Sequence, residues 1–331
     1  MCSYFGSELE LNVEALEEVS SFFSKRGREL SELNKQQAFL PKGSIYIPNK
    51  SGTAPGMWFE KNGKIFMSMP GVPFEMKEIM TLQVLPRLIE KFKTPVIHHK
   101  VIRTVGIGES YLSEKIKDWE ASLPNHIKLA YLPSYSEVKL RLTASGNEKS
   151  VIIQEVENQI ETLKSLVAEF IYGYDGDTLE KTIGDFLIKT KKTISVAESC
   201  TGGYVSYLLT SIPGSSAYLK GSVVAYHNDI KHSALNVKNE TLNIHGAVSE
   251  ETVKEMAEGI RRNFGTNIGI AITGIAGPGG GSIEKPVGTV WIAYSDERVL
   301  LAKKLIFGNL REINVKLSAT AILNLLRQQL I

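Results

Sequence analysis

The chain has 331 residues, of which 43% are hydrophobic and 22% are charged, and its formal net charge is +2 at pH 7. This composition is that of a globular protein with two or three domains, and a nearly neutral charge gives no electrostatic reason to expect a nucleic-acid partner. Two cysteines cannot build a disulfide framework, and no Cys/His spacing resembles a zinc site. No membrane span or signal peptide is visible, so we expect a cytoplasmic protein without a membrane partner.

The first part of the chain predicts short helices and strands. Apolar residues at spacings of three and four predict a helix over residues 14–26, and a strand is predicted over residues 45–47. The pair Asn62-Gly63 lies between two alternating runs and predicts a β-hairpin. An amphipathic helix follows over residues 74–91. The loops NKSGTAPG and MPGVP are either structural turns or a ligand cradle, and structural turns are favoured.

The middle of the chain predicts a small α+β module. Its elements are a strand over 96–104, a helix over 108–119, strands over 128–132 and 137–143, and a helix over 151–169. A nucleic-acid-binding KH domain needs a Gly-X-X-Gly clamp, which Gly106-Ile107-Gly108 does not supply. We therefore expect a structural linker. His98 and His99 face opposite sides of a strand and are interpreted as ordinary strand residues.

The last part of the chain predicts alternating strands and helices. The predicted strands cover residues 193–197, 222–226, 268–272, 287–294 and 299–307, and the predicted helices cover 178–189, 204–211, a run after Ser249, and 311–330. Capping residues precede two of these helices, at 177–180 and at Ser249. This order is typical of an α/β domain with a largely buried sheet.

Two strands of this domain end in small-residue turns. The strand over 193–197 is followed by ESCTGG and then by a helix, whose free N–H groups and positive dipole end predict an anion site. The strand over 268–272 is followed by TGIAGPGGGS, which is either a flexible surface loop or a place where backbone approaches a ligand closely. We expect one site built from both strand ends.

A serine and a lysine suggest acyl-transfer chemistry near these turns. Ser216, in the run GSSAY, and Lys231, in NDIK, could form a Ser–Lys dyad if the amine is desolvated and neutral. Alternatively, a serine beside Gly-Pro forms a turn and a lysine lies on the surface. A cysteine hydrolase is a third hypothesis, because Cys200 lies at a helix N-terminus, although no histidine has a recognisable role beside it.

The motifs ESCTGG, GSSAY, NDIK, HGAVSEETV, TGIAGPGGGS and KPVGTVWIA occur in one order and resemble the C-terminal domain of the CinA family of nicotinamide-nucleotide amidases. The resemblance implies deamidation of nicotinamide mononucleotide in pyridine nucleotide (NAD) salvage, with Ser216 as nucleophile, Lys231 as base, Tyr226 near the dyad, and no cofactor or metal. The substrate-binding residues that it implies are Ser199, Thr201, Gly202, Gly203, Thr273, Gly274, Ala276, Gly277, Gly279 and Arg311. Of these, Arg311 either contacts a phosphate or is a surface charge.

The resemblance extends to the rest of the chain. Leu40-Pro41, the NKSGTAPG loop and MPGVPFEM resemble the second half of the family's molybdopterin-binding-like N-terminal domain, and the middle module resembles its KH-like domain. The family's opening strand and a Gly-Gly-Leu-Gly-Pro-Thr loop are not found before Tyr4. We therefore expect a partial domain that either belongs to a longer protein or packs its edge on a partner.

The predicted organisation is an α/β chain with a partial molybdopterin-binding-like segment at 1–94, a KH-like α+β domain at 95–175 and an α/β amidase domain at 176–331. The resemblance also implies a homodimer with a small nucleotide substrate. Two alternatives stay open: a nucleotide-binding or interaction protein without catalysis, and residual ADP-ribose pyrophosphatase activity of the first domain, which would use a divalent metal.

Overall fold

The computed structural model describes residues 1–92 and 94–330. Lys93 and Ile331, which belong to the first and last predicted domains, lie outside the described residues. The chain divides into two compact units, Met1–Pro95 and Val96–Ile331.

The first unit contains two small antiparallel sheets. Strands β1 and β2 form one sheet, and strands β3, β4 and β5 form the other in that order. The strands are β1 (Leu9–Leu11), β2 (Phe39–Pro41), β3 (Ile45–Ile47), β4 (Gly56–Lys61) and β5 (Lys64–Ser68), and the helices are α1 (Cys2–Phe5), α2 (Val13–Ser24), α3 (Glu32–Lys35), α4 (Pro73–Ile79) and α5 (Leu85–Phe92). The predicted hairpin is confirmed, since Asn62 and Gly63 both have positive φ between β4 and β5.

One helix of this unit differs from the prediction. The single helix expected over residues 74–91 is α4 and α5 separated by a π-helical segment, Met80–Val84. Pro86 has no backbone N–H, and its ring would collide with the carbonyl four residues earlier in a regular α-helix. A wider turn at this point removes the collision.

The second unit begins with a four-stranded antiparallel module. Its elements are β6 (Val96–Val105), α6 (Glu109–Ala121), β7 (Ile127–Pro133), β8 (Glu137–Gly146), α7 (Lys149–Val167) and β9 (Ile171–Tyr174), with strand order β7-β8-β6-β9. The predicted β-α-β-β-α order is confirmed. Strand β9 was not predicted, because four residues that include Gly173 are too short to show a hydrophobic period.

A three-layer α/β domain follows in the same unit. Its sheet has the order β11-β10-β12-β13-β14, in which β11, β10 and β12 are parallel and β13 and β14 are antiparallel. The strands are β10 (Ile194–Glu198), β11 (Leu219–Val224), β12 (Ile268–Gly274), β13 (Thr289–Ser295) and β14 (Leu300–Ile306). The helices are α8 (Leu179–Thr190), α9 (Tyr204–Thr210), α10 (Asn228–Leu235), α11 (Asn239–His245), α12 (Glu250–Phe264) and α13 (Arg311–Leu330).

Both faces of this sheet are covered. Apolar residues of α8, α9 and α13 pack with Ile194, Val196 and Ile270 on one face. Apolar residues of α10 and α12 pack with Ala197 and Ala271 on the other. Because β10, β11 and β12 are parallel, their carboxyl ends meet at one edge of the sheet, which is where ligand sites form in such folds.

Helix α10 lies unusually close to α12. A Cβ atom at Gly259 in α12 would lie 1.8 Å from the carbonyl oxygen of Leu235, the last residue of α10. Only glycine permits this approach. The contact fixes the position of α10, which follows β11 and carries Lys231.

Two findings on the described residues, 1–92 and 94–330, concern membranes and metals. None of the helices there combines the length and the apolar character that crossing a bilayer requires. No three histidine, cysteine or acidic side chains come together there as a group that could hold a metal ion.

Candidate active site

A buried lysine and a buried serine are in contact at the carboxyl edge of the sheet. Ser199 directly follows β10, and Lys231 lies in α10, which follows β11. The Lys231 Nζ atom lies 3.1 Å from Ser199 Oγ, and it donates to the carbonyl oxygens of Ala225 at 2.9 Å and Tyr226 at 3.4 Å. Lys231 is 1% exposed and Ser199 is 7% exposed, so the pair is shielded from water.

The surroundings of Lys231 favour its neutral form. Burial lowers the pKa of Lys231 from its ordinary value. Its three hydrogen-bond partners are a hydroxyl and two backbone carbonyls, so no carboxylate among the residues that the structure describes stabilises the ammonium form. A neutral amine in contact with a serine hydroxyl can accept its proton, which is the chemistry of a Ser–Lys dyad.

The serine in this pair is not the predicted one. Ser216 is exposed in a 3-10 turn, and within the described chain it makes no hydrogen bond to Lys231. The register pairs Leu219 with Ile194 at the amino ends of β11 and β10. Ser216 precedes β11, whereas Ser199 and Lys231 follow the carboxyl ends of these strands. The predicted Ser216–Lys231 pairing is therefore wrong, since the six residues of β11 separate the two ends by about 20 Å.

The predicted anion site at the start of α9 is occupied by the protein itself. The Glu198 carboxylate is fully buried and accepts hydrogen bonds from the backbone N–H groups of Gly203, Val205 and Ser206 and from the Ser206 hydroxyl. An acid at a helix N-terminus satisfies the free N–H groups and the dipole together. The expected role of Gly203 in binding an anionic substrate is therefore corrected, because its N–H group already has a partner.

We expect Glu198→Gln to lower the free energy of unfolding by about 2 kcal/mol, because each carboxylate oxygen accepts two hydrogen bonds and an amide NH₂ would face two donors. Urea denaturation followed by circular dichroism measures this change. Glu240→Gln is the matched control, since Glu240 is an exposed acid in the first turn of α11. Equal stabilities for the two variants would contradict this role of Glu198.

Polar hydrogens next to Ser199 remain available to a ligand. The backbone N–H groups of Cys200 and Thr201 donate to no acceptor within residues 1–92 and 94–330, and the Thr201 hydroxyl is buried without a partner in the same residues. The N–H group of Gly202, in contrast, donates to the Ser199 carbonyl and closes the turn. The N–H groups of Cys200 and Thr201 lie directly after the serine, which is the usual position of an oxyanion hole.

The Cys200 thiol is poorly suited to act as a nucleophile. It is 6% exposed, and burial raises its pKa to about 12. The reactive species of a cysteine is the thiolate, which is scarce at neutral pH when the pKa is this high. Gly274 of β12 packs against the sulfur, because a Cβ atom there would lie 3.1 Å from Sγ. These observations favour Ser199 over Cys200.

The second glycine-rich turn borders the same edge, and several of its polar groups have internal partners. The Thr273 hydroxyl donates to the Ala247 carbonyl, and the Ala276 carbonyl accepts from Asn314 Nδ2. Gly279 is exposed, and a Cβ atom there would contact nothing within 4 Å. Of the predicted binding residues in this turn, Thr273, Gly274 and Ala276 therefore pack internally, and Gly279 is open to solvent.

Arg311 links the two sides of the site. At the start of α13, it donates to the Gly277 carbonyl at 3.0 Å and to the Tyr226 hydroxyl at 2.8 Å. The Tyr226 side chain is 60% exposed and faces Arg311, so the predicted contact of Tyr226 with the dyad is made by its backbone carbonyl and not by its hydroxyl. The guanidinium has no carboxylate partner among residues 1–92 and 94–330.

Three residues that contribute hydrogen bonds at or beside the candidate site were not identified from the sequence. Glu198, Ala225 and Asn314 act through a buried carboxylate, a carbonyl and an amide. Glu198 gave one signal, since an acid ends a strand that is otherwise free of charged residues. The other two gave none, because a backbone acceptor has no residue signature and Asn314 lies inside a helix.

Comparison with known proteins identifies the chain's relatives. The family models described as the CinA C-terminal domain and the damage-inducible protein CinA KH domain match residues 176–330 and 99–173. A CinA-like protein of Cytophaga hutchinsonii is 51% identical over 330 residues, which cover 100% of this chain and 79% of that protein. One of Dictyoglomus thermophilum is 42% identical, covering 91% and 73%.

A solved structure, the competence/damage inducible protein CihA from Agrobacterium tumefaciens, is 40% identical over 46% of this chain and 93% of that chain, with a TM-score of 0.44. The sequence relationships cover the chain from end to end and include both of its recognisable domains. The chain therefore belongs to the CinA family.

Proposed function

We propose that the C-terminal domain is an amidohydrolase that converts nicotinamide mononucleotide into nicotinic acid mononucleotide and ammonia. The observation that carries the proposal is the buried contact between Ser199 Oγ and the Nζ atom of Lys231, whose pKa burial lowers. The resemblance of the motifs to nicotinamide-nucleotide amidases supports this substrate. The nicotinic acid mononucleotide formed in this reaction would return to pyridine nucleotide salvage.

In the proposed mechanism Ser199, rather than Ser216, is the nucleophile. Neutral Lys231 takes the Ser199 proton while Oγ attacks the carboxamide carbon, whose electrophilicity the pyridinium charge increases. The oxyanion accepts hydrogen bonds from the N–H groups of Cys200 and Thr201, each worth roughly 3 kcal/mol in the transition state. Ammonia leaves with the proton from Lys231. Water, deprotonated by the same amine, then releases the acid and restores Ser199.

The two carbonyls around Lys231 orient this proton transfer. A neutral amine has two N–H groups and one lone pair. When the carbonyls of Ala225 and Tyr226 accept the two N–H groups, the lone pair is left to face Ser199. After proton transfer the same carbonyl dipoles stabilise the ammonium ion, so the base needs no carboxylate partner.

The position of Arg311 favours a substrate that carries a phosphate group. Its guanidinium contacts two neutral acceptors at the open side of the site, so its charge is available to an anion. A nucleotide whose carboxamide lies at Ser199 would extend its ribose phosphate towards solvent, where such a cation is needed. Nicotinamide without the ribose phosphate lacks this contact and is expected to be a poorer substrate.

The full chain incubated with nicotinamide mononucleotide is expected to release ammonia and nicotinic acid mononucleotide in equal amounts. Coupled ammonia detection and chromatography of the nucleotide measure the two products. Nicotinamide at the same concentration is the matched control substrate. Binding of the nucleotide without ammonia release would contradict the proposal and favour a binding protein without catalysis.

A further inference from the structure

A cavity of about 400 Å³ lies between the antiparallel module and the α/β domain of the second unit. It is separate from the Ser199 site, because its walls come from β13, β14 and α13 on one side and from the β6–α6 and β7–β8 connections on the other. None of Ser199, Tyr226, Lys231 or Arg311 lines it. Its volume is in the range of small-molecule sites.

One wall of this cavity is apolar. Ile292 of β13, Leu305 and Phe307 at β14, and Leu317 and Leu325 of α13 contribute to it. Three of these side chains are only partly buried, namely Leu305, Phe307 and Leu317, and this leaves apolar surface exposed to the cavity. Such a wall suits a flat or aliphatic group rather than a free inorganic ion.

The opposite wall presents hydrogen-bond donors without acceptors. Helix α6 begins there, with Gly108 as its N-cap, and glycine offers no side chain to accept from the first turn. The N–H groups of Glu109, Ser110 and Tyr111 accordingly find no acceptor in the described part of the chain, and of these three residues Glu109 lines the cavity. A helix N-terminus of this kind favours a negatively charged group.

Asn324 of α13 adds an independent donor. The side chain is 9% exposed, and its Oδ1 accepts from Arg327 Nε, which fixes the orientation of the amide. The Nδ2 group then faces Gly106 in the cavity wall, where a Cβ atom would lie 2.7 Å from it. Within residues 1–92 and 94–330, this Nδ2 group makes no hydrogen bond. A nearly buried donor without a partner indicates a ligand acceptor.

Lys303 places a positive charge on the same side of β14 as Leu305. Residues two apart in a strand share a face, and both line the cavity. Lys304 faces the other side of the strand. The cavity thus combines an ammonium group, an amide and a helix N-terminus with an apolar wall. Two carboxylates also line it: that of Glu137 is already paired with Arg103 and Lys139, and that of Glu109 is exposed to solvent.

We propose that this cavity binds a small organic anion, with its phosphate or carboxylate between the start of α6, Asn324 and Lys303, and its apolar body against Leu305 and Phe307. The site is independent of the amidase proposal, since it uses none of the residues of that mechanism. Binding is measured directly, without reference to ammonia release.

The test is isothermal titration calorimetry of the full chain with 1-naphthyl phosphate, 1-naphthoate and inorganic phosphate. Saturable binding of one naphthyl anion per chain is expected, with inorganic phosphate much weaker because it lacks the apolar body. The stronger of the two naphthyl compounds identifies the preferred anionic group. Absence of saturable binding for both compounds would overturn the proposal.

Variants locate the site. Asn324→Asp keeps an acceptor for Arg327 but turns the donor into a carboxylate oxygen, so binding is expected to weaken by about tenfold or more. Lys303→Gln, at an exposed position, is expected to weaken binding severalfold, whereas Lys304→Gln on the other face of β14 is the matched control and leaves it unchanged. Binding that survives Asn324→Asp and Lys303→Gln but is lost in Arg311→Ala would place the probe at the Ser199 site and overturn the proposal.

Discussion

Ser199→Ala is expected to reduce ammonia release from nicotinamide mononucleotide by at least ~10³-fold, because it removes the hydroxyl that contacts Lys231 Nζ. Ser216→Ala, the matched control, is expected to keep the parent rate, because Ser216 lies in an exposed turn at the opposite end of β11. Initial rates at saturating and at low substrate give kcat and kcat/KM for both variants. The loss should appear in kcat, since the hydroxyl acts in the chemical step.

The same pair of variants separates the competing assignments. Loss of activity in Ser216→Ala with activity retained in Ser199→Ala would return the nucleophile to Ser216 and contradict the mechanism. Cys200→Ala addresses the third hypothesis, and we expect it to retain activity because the thiol is buried and protonated. Thermal denaturation of each variant establishes that a lost rate is not lost folding, and Ser199→Ala changes only one small side chain.

Local sequence signals predicted most of the elements of this fold. The Asn62-Gly63 turn, the side-chain caps at Thr178 and Ser249, and the apolar stripes of α7 and α12 each involve residues within a few positions of one another. Such signals act before tertiary contacts form, so a single sequence contains them. The interruption before Pro86 and the short strand β9 were missed because their signals are weaker than the periodicity around them.

The choice of Ser199 as the proposed nucleophile depended on information that is not local. Lys231 is 32 residues from Ser199, and their contact follows from the parallel pairing of β10 with β11. The resemblance of the GSSAY and NDIK motifs to the family had implied Ser216 instead. The rule that carboxyl ends of parallel strands meet at one edge would have selected Ser199, since both Ser199 and Lys231 follow such an end. The role of Glu198 required the folded turn, because five to eight residues separate its carboxylate from its partners.

The pH dependence of the reaction is expected to follow Lys231. Burial lowers the pKa of this amine below its ordinary value of 10.5, and only the neutral amine can accept the Ser199 proton. The value of kcat/KM should therefore rise with pH and level off above the lowered pKa. Lys231→Met, which keeps an unbranched side chain but removes the amine, is expected to lose about 10²–10⁴ in kcat/KM together with this rise. Lys220→Met, at an exposed lysine of β11, is the matched control with an unchanged profile.

The same shift makes a prediction for stability. Between the lowered pKa of Lys231 in the folded chain and 10.5 in the unfolded chain, the unfolded state binds a proton that the folded state does not. The stability of the parent chain relative to Lys231→Met must then rise with pH through this window. This gain in stability is fully present above pH 10.5 and is lost as the pH falls towards the pKa of Lys231 in the folded chain. Urea denaturation of parent and variant at a series of pH values measures this difference. If the difference in stability between parent and variant is constant with pH and the kcat/KM profile is flat, Lys231 is charged in the folded state and cannot be the base. If the stability difference and kcat/KM change around the same pH, both changes are assigned to the titration of this buried amine.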